Sequence, residues 1–545
     1  MMIRSKVLII ILIFLLAFSL RLIFAPSHNI ASDPFEILTA AKTLNETGKY
    51  LVPSVGSADL DIHYRFAGWP VGFPLMLSVI FKFFVYSEII ARVFTIFLSS
   101  LVIIFVAVIT NLFFSDKTTY LASFLVAIHP LLLAFNGRIF TNNPALLFLI
   151  ASITFLLLSV VDKSNELNFV EPSLILKNRK RLLYFLLSFL LLGFLLTIRD
   201  TYIIFVPVYL YILYKSNFFY LLFKFNNKGL KTILKLSLLA CMLSIIGNLP
   251  SIYYNYLNYG TILTSTHRQS GFSLSINYLL FGSGSEMGLP GGVVMLVAGF
   301  LYTFPTISLF FVGRFTKKLI FFLIITILIF LPLIFINGSY PVASSGAAPR
   351  YLLPLIPFTS ILIAYSLMTF SRKLRTSYLI FIFFVIFCWH LFLIYPMPIF
   401  FKISSKVAYT AQYAPVYNIY SYENYPNHSN AMVGWVKGNT PLDSVIISPS
   451  RLYHFYYYAK RDVIGISNVT GDVLKELVET RPVFLVEDHE ATYNPGRVNG
   501  VKEMIENANL KYSVVGEVEL FSPRLGHTKM NIYKITHSPQ ERMNY

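Results

Sequence analysis

The residues of this chain whose types suit chemistry gather at the ends of apolar runs. Asp33 and Glu36 open the stretch SDPFEILTAAKTLNETGKY, directly after the first such run. A carboxylate there can act as a general base toward a hydroxyl held near a membrane surface. It can equally cap the helix predicted over 33–49, whose apolar residues recur at Phe35, Leu38, Ala41 and Leu44. Tyr64 and Arg65 close the same polar segment. Further along, Arg138 precedes Asn142 and Asn143, Arg199 adjoins Asp200, His267 adjoins Arg268, and Arg350 adjoins Tyr351. Any one of these arginines reads as a snorkelling anchor. Their recurrence at successive turns matches an anionic ligand at the membrane margin, because the guanidinium fork fits phosphate oxygens. A lipid-linked phosphate is the obvious ligand of that kind.

Other groups are weaker. Asp59, Asp61 and His63 form a DxD-like cluster that could hold a divalent cation, although such clusters are common in turns. His129 and His390 fall inside apolar runs and read as packed side chains, and Glu487-Asp488-His489 reads as a solvated strand end. The chain has no HExxH, Ser-His-Asp pattern, GxGxxG, Walker-type GxxxxGK[ST] or CxxC.

The elements that must position these residues are membrane helices. The chain has 545 residues, 56% hydrophobic and only 13% charged, with a mean hydropathy of +0.66. A soluble protein would carry about 25% charged residues. The net charge of +18 is dispersed over short loops rather than clustered on a soluble face, which argues against nucleic acid as a partner. Cys241 and Cys388 both lie in apolar runs, so no disulfide framework is expected. Residues 1–24 read as a retained first helix rather than a cleaved signal.

Spans are expected at 7–24, 88–112, 119–138, 144–161, 182–198, 201–215, 232–251, 291–312, 319–336, 352–370 and 378–395, about eleven helices. With the N-terminus cytoplasmic, the basic loops SDKTT, KNRKR, the Lys-rich 215–231, GRFTKK and SRKLRTS all fall on the cytoplasmic side. Residues 70–86 carry Pro70, Pro74 and Lys82 and are assigned to a helix lying in the outer interface. The long segments 25–87, 252–290, 337–351 and everything after about 396 are then outside. The expected domains are a membrane domain, 1–395, whose first outer loop is 25–87, and an extracytoplasmic domain, 396–545. In the latter, 444–449, 482–488, 512–521 and 530–535 read as strands, and 472–480 and 498–509 as helices, giving a small α/β fold. The connector 402–432 is expected along the membrane surface. Four N-x-S/T sequons, at Asn45, Asn337, Asn427 and Asn468, fall on the outer side.

In this order the chain resembles the GT-C superfamily of integral-membrane glycosyltransferases, in particular its protein O-mannosyltransferase and aminoarabinose-transferase branch. The resembling stretches are SDPFEILTAAKTLNETGKYLVP, YRFAGWPVGFPLML, EIIARVFTIFLSSL, GRIFTNNPALLFL, GFLLTIRDTYIIFVP and RYLLPLIPF, spread over about the first 370 residues. The resemblance implies transfer of a sugar from a polyprenyl-phosphate donor to a lipid, glycan or protein acceptor at the outer face of the cell membrane. It implies that Asp33 is the general base, that Tyr64 and Arg65 bind the donor, that Arg199 meets the donor phosphate, and that Arg350 is a second such arginine. Glu36 takes a supporting role. Where the family often has an acid beside the first Asp, this chain has Pro34; where it has a second acid, this chain has Asn142-Asn143. An assisting divalent metal is accordingly not expected. An oligosaccharyltransferase-like enzyme is an alternative, although GWVKGNTPLDSVIISPSRLYHF lacks a WWD-type motif. A transporter or flippase for a lipid-linked substrate is another, disfavoured by the scarcity of charge in the spans.

Overall fold

The computed structural model describes residues 2–23, 25, 32–53, 64–162, 168–218, 227–262, 273–274, 316–337, 348–371, 426–448, 455–487, 495–522 and 526–537. In chain order the helices are α1 (Met2–Ile23), α2 (Ser32–Thr47), α3 (Gly72–Phe83), α4 (Glu88–Phe113), α5 (Asp116–Ile128), α6 (Pro130–Asn136), α7 (Asn142–Val160), α8 (Pro172–Lys177) and α9 (Arg179–Ile198). They continue as α10 (Val206–Lys215), α11 (Asn227–Tyr259), α12 (Lys317–Phe335), α13 (Ile356–Ser371), α14 (Pro426–Asn439), α15 (Gly471–Thr480) and α16 (Pro495–Asn507). The strands are β1 (Leu51–Pro53), β2 (Tyr64–Phe66), the short pairs β3 (Val161–Asp162) with β4 (Asn168–Phe169) and β5 (Ser273–Leu274) with β6 (Ile336–Asn337), then β7 (Val445–Ser448), β8 (Asp462–Gly465), β9 (Val483–Val486), β10 (Leu510–Ser522) and β11 (Gly526–His537). They form two units, Met1–Ala25 with Gly68–Ile419, and Pro26–Ala67 with Tyr420–Tyr545.

The first unit is a helical bundle of a multi-pass membrane protein. Among the described residues, six helices are long and apolar enough to cross a bilayer: Ser5–Ile23, Glu88–Phe113, Asn142–Val160, Arg179–Ile198, Gly229–Asn258 and Leu352–Thr369. Nine of the eleven expected spans fall on described helical segments, while 291–312 and 378–395 lie outside the described residues. The expected span 119–138 is split into α5 and α6, because Pro130 lacks the N–H needed to continue a helix and disfavours helical backbone at His129. Helix α7 is the centre: nearly all of it is buried, and it packs against α4, α9 and α10.

Charged contacts mark one end of this bundle. Lys6 pairs with Asp116 at 2.6 Å, Lys318 Nζ donates to the Phe113 carbonyl at 2.9 Å, and Arg181 pairs with Asp162 at 3.0 Å. The alternating direction of α5–α6, α7 and α9 carries Arg138, Asn142 and Arg199 to the opposite end. Helix α3 lies against α9. Its 12 residues give a length of about 18 Å at ~1.5 Å per residue, too short for a ~30 Å hydrocarbon layer. It buries Phe73, Leu77 and Phe81 and exposes Lys82 and Phe83, the amphipathic pattern expected of an interfacial helix.

The second unit is built on a five-stranded sheet in the order β10-β11-β9-β7-β8. β7 is parallel to β8 and β9, while β11 is antiparallel to β9 and β10. VIIS of β7 and VFLV of β9 are buried throughout, as continuous apolar strands covered on both faces should be. One face packs Ile447, Ile464 and Leu485 against Leu474 and Leu477 of α15 and Ile505 of α16. The other packs Ile446, Val463 and Phe484 against Met432, Val433 and Val436 of α14. The connector reading of 402–432 therefore fails at its end, since Met432 is part of a helix in this core. The expected boundary near 396 lies outside the described residues. In the same unit, β1 and β2 form a hairpin pairing Val52 with Arg65 and Pro53 with Tyr64, and Thr43 of α2 hydrogen-bonds the Leu51 carbonyl.

Candidate functional site

The α6–α7 turn brings several of the candidate residues together. His129 caps α6, its Nδ1 accepting from the Leu131 N–H at 3.2 Å, so the helix restarts directly after the proline break. At the other end, Asn143 Nδ2 donates to the carbonyls of Phe135 and Arg138, each at 2.9 Å. Both carbonyls also accept backbone N–H groups of the turn, Phe135 from Arg138 and Arg138 from Phe140, so the amide adds a second donor to each. The Arg138 guanidinium lies over the Phe135 ring, 5.3 Å from its centroid.

Arg199 meets this turn from α9. The helix ends at Ile198, and Arg199 takes an extended conformation (φ −154°, ψ 97°) ahead of the 3-10 turn Asp200–Phe205. Its side chain is 7% exposed. Nη1 donates to Thr141 Oγ1 at 3.1 Å and to Asn142 Oδ1 at 2.9 Å, and the Tyr202 ring lies 5.8 Å away. Both oxygens are neutral, so these bonds orient the guanidinium without cancelling its charge. Asn142 and Asn143 thus fix one arginine and one helix end.

The 3-10 segment Ala348–Leu355, which carries Arg350 and Tyr351, packs against α6 and α7. Asn136, on α6, is buried, and neither its Oδ1 nor its Nδ2 has a hydrogen-bond partner among the described residues. An amide left so is unusual, since buried polar groups are nearly always satisfied.

A second buried arginine went unnoticed in the sequence, where Arg21 reads as the polar end of a span. It is fully buried, with Nη1 donating to Ser100 Oγ at 3.1 Å and Nη2 to the Val126 carbonyl at 3.4 Å. Val126 belongs to the last turn of α5, whose free carbonyls attract a cation. Arg21 Nε is buried without a partner. The turn from α5 to α7 is therefore flanked by two guanidinium groups that contact neutral oxygens.

The first gap between spans supplies the other candidates. Asp33 lies in the first turn of α2, which starts at Ser32, so it sits further into the helix than the N-cap expected of it. Glu36 follows in the same helix and is half-buried. Phe35, Leu38, Ala41 and Leu44 are all buried, as their spacing predicts. Tyr64 and Arg65 lie in β2. Asp59, Asp61 and His63, and likewise His267 and Arg268, lie outside the described residues. Among the described residues no group of three or more His, Cys, Asp or Glu could hold a metal.

No family model matches the chain, and no curated protein matches it. Solved structures do, over nearly the whole length. ArnT from Cupriavidus metallidurans in the apo state aligns with a TM-score of 0.54 at 12% identity, covering 96% of this chain and 97% of that one. ArnT bound to undecaprenyl phosphate aligns at 0.52 and 11% identity, covering 98% and 97%. The oligosaccharyltransferase AglB from Archaeoglobus fulgidus, in complex with an inhibitory peptide and a dolichol-phosphate, aligns at 0.54 and 12% identity, covering 96% and 74%. At these identities the likeness is one of fold: the chain shares the fold of ArnT and of AglB.

Proposed function

We propose that this chain is a glycosyltransferase that moves a sugar from a polyprenyl-phosphate donor to an acceptor hydroxyl at the outer face of the cell membrane. The observation that carries the reading is Arg199, a buried guanidinium held by the neutral oxygens of Thr141 and Asn142 in a fold shared with undecaprenyl phosphate- and dolichol-phosphate-bound proteins. Orientation follows from charge: the bundle end holding Lys6, Arg181 and Lys318 is cytoplasmic, and the Arg199 end faces outward. A polyprenyl chain lies in the bilayer with its phosphate at the surface, so the groups that meet it belong at a bundle end.

In the proposed reaction Asp33 accepts the proton of the acceptor hydroxyl. The hydroxyl oxygen forms its bond to the anomeric carbon as the bond from that carbon to the phosphate oxygen breaks. The departing polyprenyl phosphate takes the electron pair, and Arg199, with Arg350 and Arg65, stabilises the charge that develops. No general acid is needed, because a phosphate leaves as an anion. Donor- or substrate-binding roles are proposed likewise for Arg138, Tyr64, Tyr351, His267 and Arg268, and a supporting role for Glu36.

The likeness to AglB favours a second reading, in which a peptide amide is the acceptor. The fuller mutual coverage with ArnT ranks it second. The test is transfer by the purified full-length protein from a panel of polyprenyl-phosphate sugars to lipid, glycan and peptide acceptors. Asp33→Asn should abolish transfer while retaining donor binding. Unchanged transfer by that variant overturns the role of Asp33, and transfer only to peptide asparagine selects the second reading.

A further inference from the structure

The first gap between spans and the C-terminal residues lie hundreds of positions apart, yet Pro26–Ala67 and Tyr420–Tyr545 make one unit. Part of the link is a triangle of rings. Phe35, in the first turn of α2, is fully buried, with its centroid 5.0 Å from Tyr457 and 5.2 Å from Tyr458. The contact with Tyr458 is edge-to-face at 88°, and the two tyrosines meet each other at 5.2 Å and 86°. These are favoured aromatic geometries.

The tyrosines stand on a rigid base. They belong to a π-helical turn, Phe455–Ala459, and Phe455 and Ala459 at its ends are buried in the sheet core beside α14. Lys460 then adopts φ 57°, a conformation that costs a non-glycine residue energy and needs support from its surroundings. Arg461 supplies it. Its buried guanidinium donates to the carbonyls of Ala459, Lys460, Lys437 and Thr440 and to Thr440 Oγ1, joining the turn to the end of α14.

We infer that Tyr457 and Tyr458 are positioning residues: the C-terminal domain holds the first turn of α2, and with it Asp33, in place through the Phe35 ring. This rests on the reading of Asp33 as the base. Phe35 is two positions from Asp33, so a shift of its ring is a shift of the same helical turn. The C-terminal domain thereby sets the geometry of the proposed base.

The test uses the full-length protein and reads transfer kinetics beside amide exchange. Tyr458→Ala and Tyr457→Ala should lower kcat at least tenfold and leave the donor KM within threefold. They should also speed exchange of the 33–40 amides at least tenfold, with β9 unaffected. Tyr457→Phe and Tyr458→Phe should restore kcat to within twofold, because rings rather than hydroxyls make the contact. Phe35→Ala combined with Tyr458→Ala should lose no more than the worse single variant. Unchanged exchange at 33–40, or an unchanged kcat in both alanine variants, overturns the inference. Transfer retained by Asp33→Asn counts against the base alone, and exchange then still decides whether the rings hold the turn.

Discussion

Arg199 Nη1 lies 2.9 Å from Oδ1 of Asn142, joining the end of α9 to the first residue of α7 across 57 positions of sequence. The amide orients the guanidinium through a neutral oxygen. Asn142→Asp is nearly isosteric and puts a carboxylate in the same contact. The new ion pair would hold the bundle at least as well but would compete with a donor phosphate for the cation. The expected outcome is a donor KM raised at least about tenfold, or ~1.4 kcal/mol, with thermal stability unchanged or increased. Product inhibition by polyprenyl phosphate should weaken in parallel. A donor KM that does not move removes Arg199 from the donor site.

Arg21 tests whether a buried cation in the bundle is there for stability. Among the described residues its hydrogen bonds reach Ser100 Oγ and the Val126 carbonyl. Arg21→Met keeps most of the volume and discards the charge, and such replacements are often neutral or stabilising. Unfolding of Arg21→Met should therefore stay within about 1 kcal/mol of the parent protein. Arg21→Ala should lose about 2–4 kcal/mol, because it also leaves a cavity. Thermal unfolding in detergent distinguishes the two, and equal large losses would show that the cation itself stabilises the bundle.

In the sheet domain, Glu487 supplies a pH dependence. Its Oε1 accepts from Tyr533 at 2.7 Å and from Lys502 at 3.1 Å, and its Oε2 accepts from the Asn531 backbone N–H and side-chain amide, each at 3.0 Å. Burial pushes this carboxyl up, but the hydrogen bonds from Tyr533, Asn531 and Lys502 outweigh it and leave it below its ordinary value. For Lys502, burial works downward, and its bonds to Tyr533 and Glu487 carry it above the usual lysine value. A depressed acid contributes stability above its unfolded pKa and loses it as pH falls through the folded one. A raised lysine contributes below its unfolded pKa and loses it as pH rises through the folded one. The network should hold across neutral pH and weaken on the acid side below about pH 4. Glu487→Gln should cost about 1–2 kcal/mol at neutral pH and flatten that acid limb, read by exchange of the β9 and β11 amides against pH.

What was legible in the sequence follows the physics of each signal. The buried face of α2 was legible because its apolar residues recur at helical spacing, and β7 and β9 because they are continuous apolar runs. The break at His129 was missed, since Pro130 sits in an otherwise unbroken apolar stretch. So was β8, whose four residues carry no period. Arg21 gave no sign of burial, as a lone arginine at a helix end has the composition of an anchor. The pairing of Phe35 with Tyr457 and Tyr458 could not be read at all: it depends on which distant surfaces meet, and no local pattern encodes that. The convergence of Thr141, Asn142 and Arg199 was half legible, in that each turn was marked by its polar residues but not by its partner.

Gly72 links helix α3 to the same arginine. It is the first residue of α3, and a Cβ there would strike the Thr197 side chain and backbone at the end of α9, two residues before Arg199. The overlap is with main-chain atoms, which cannot rotate aside as a long side chain could. Gly72→Ala should then cost about 1–3 kcal/mol, the usual penalty of overpacking. The strain should also reach Arg199, because Thr197 and Ile198 are the last turn that aims it at Thr141 and Asn142. Gly72→Ala should consequently raise the donor KM as well as lower the melting temperature. As a control on the same helix, Ser78→Ala removes only a hydroxyl bonded to the Leu75 carbonyl of its own helix. It should leave KM unchanged. If both variants lose stability and neither moves KM, α3 serves the bundle alone and the Arg199 end is insensitive to how that helix sits.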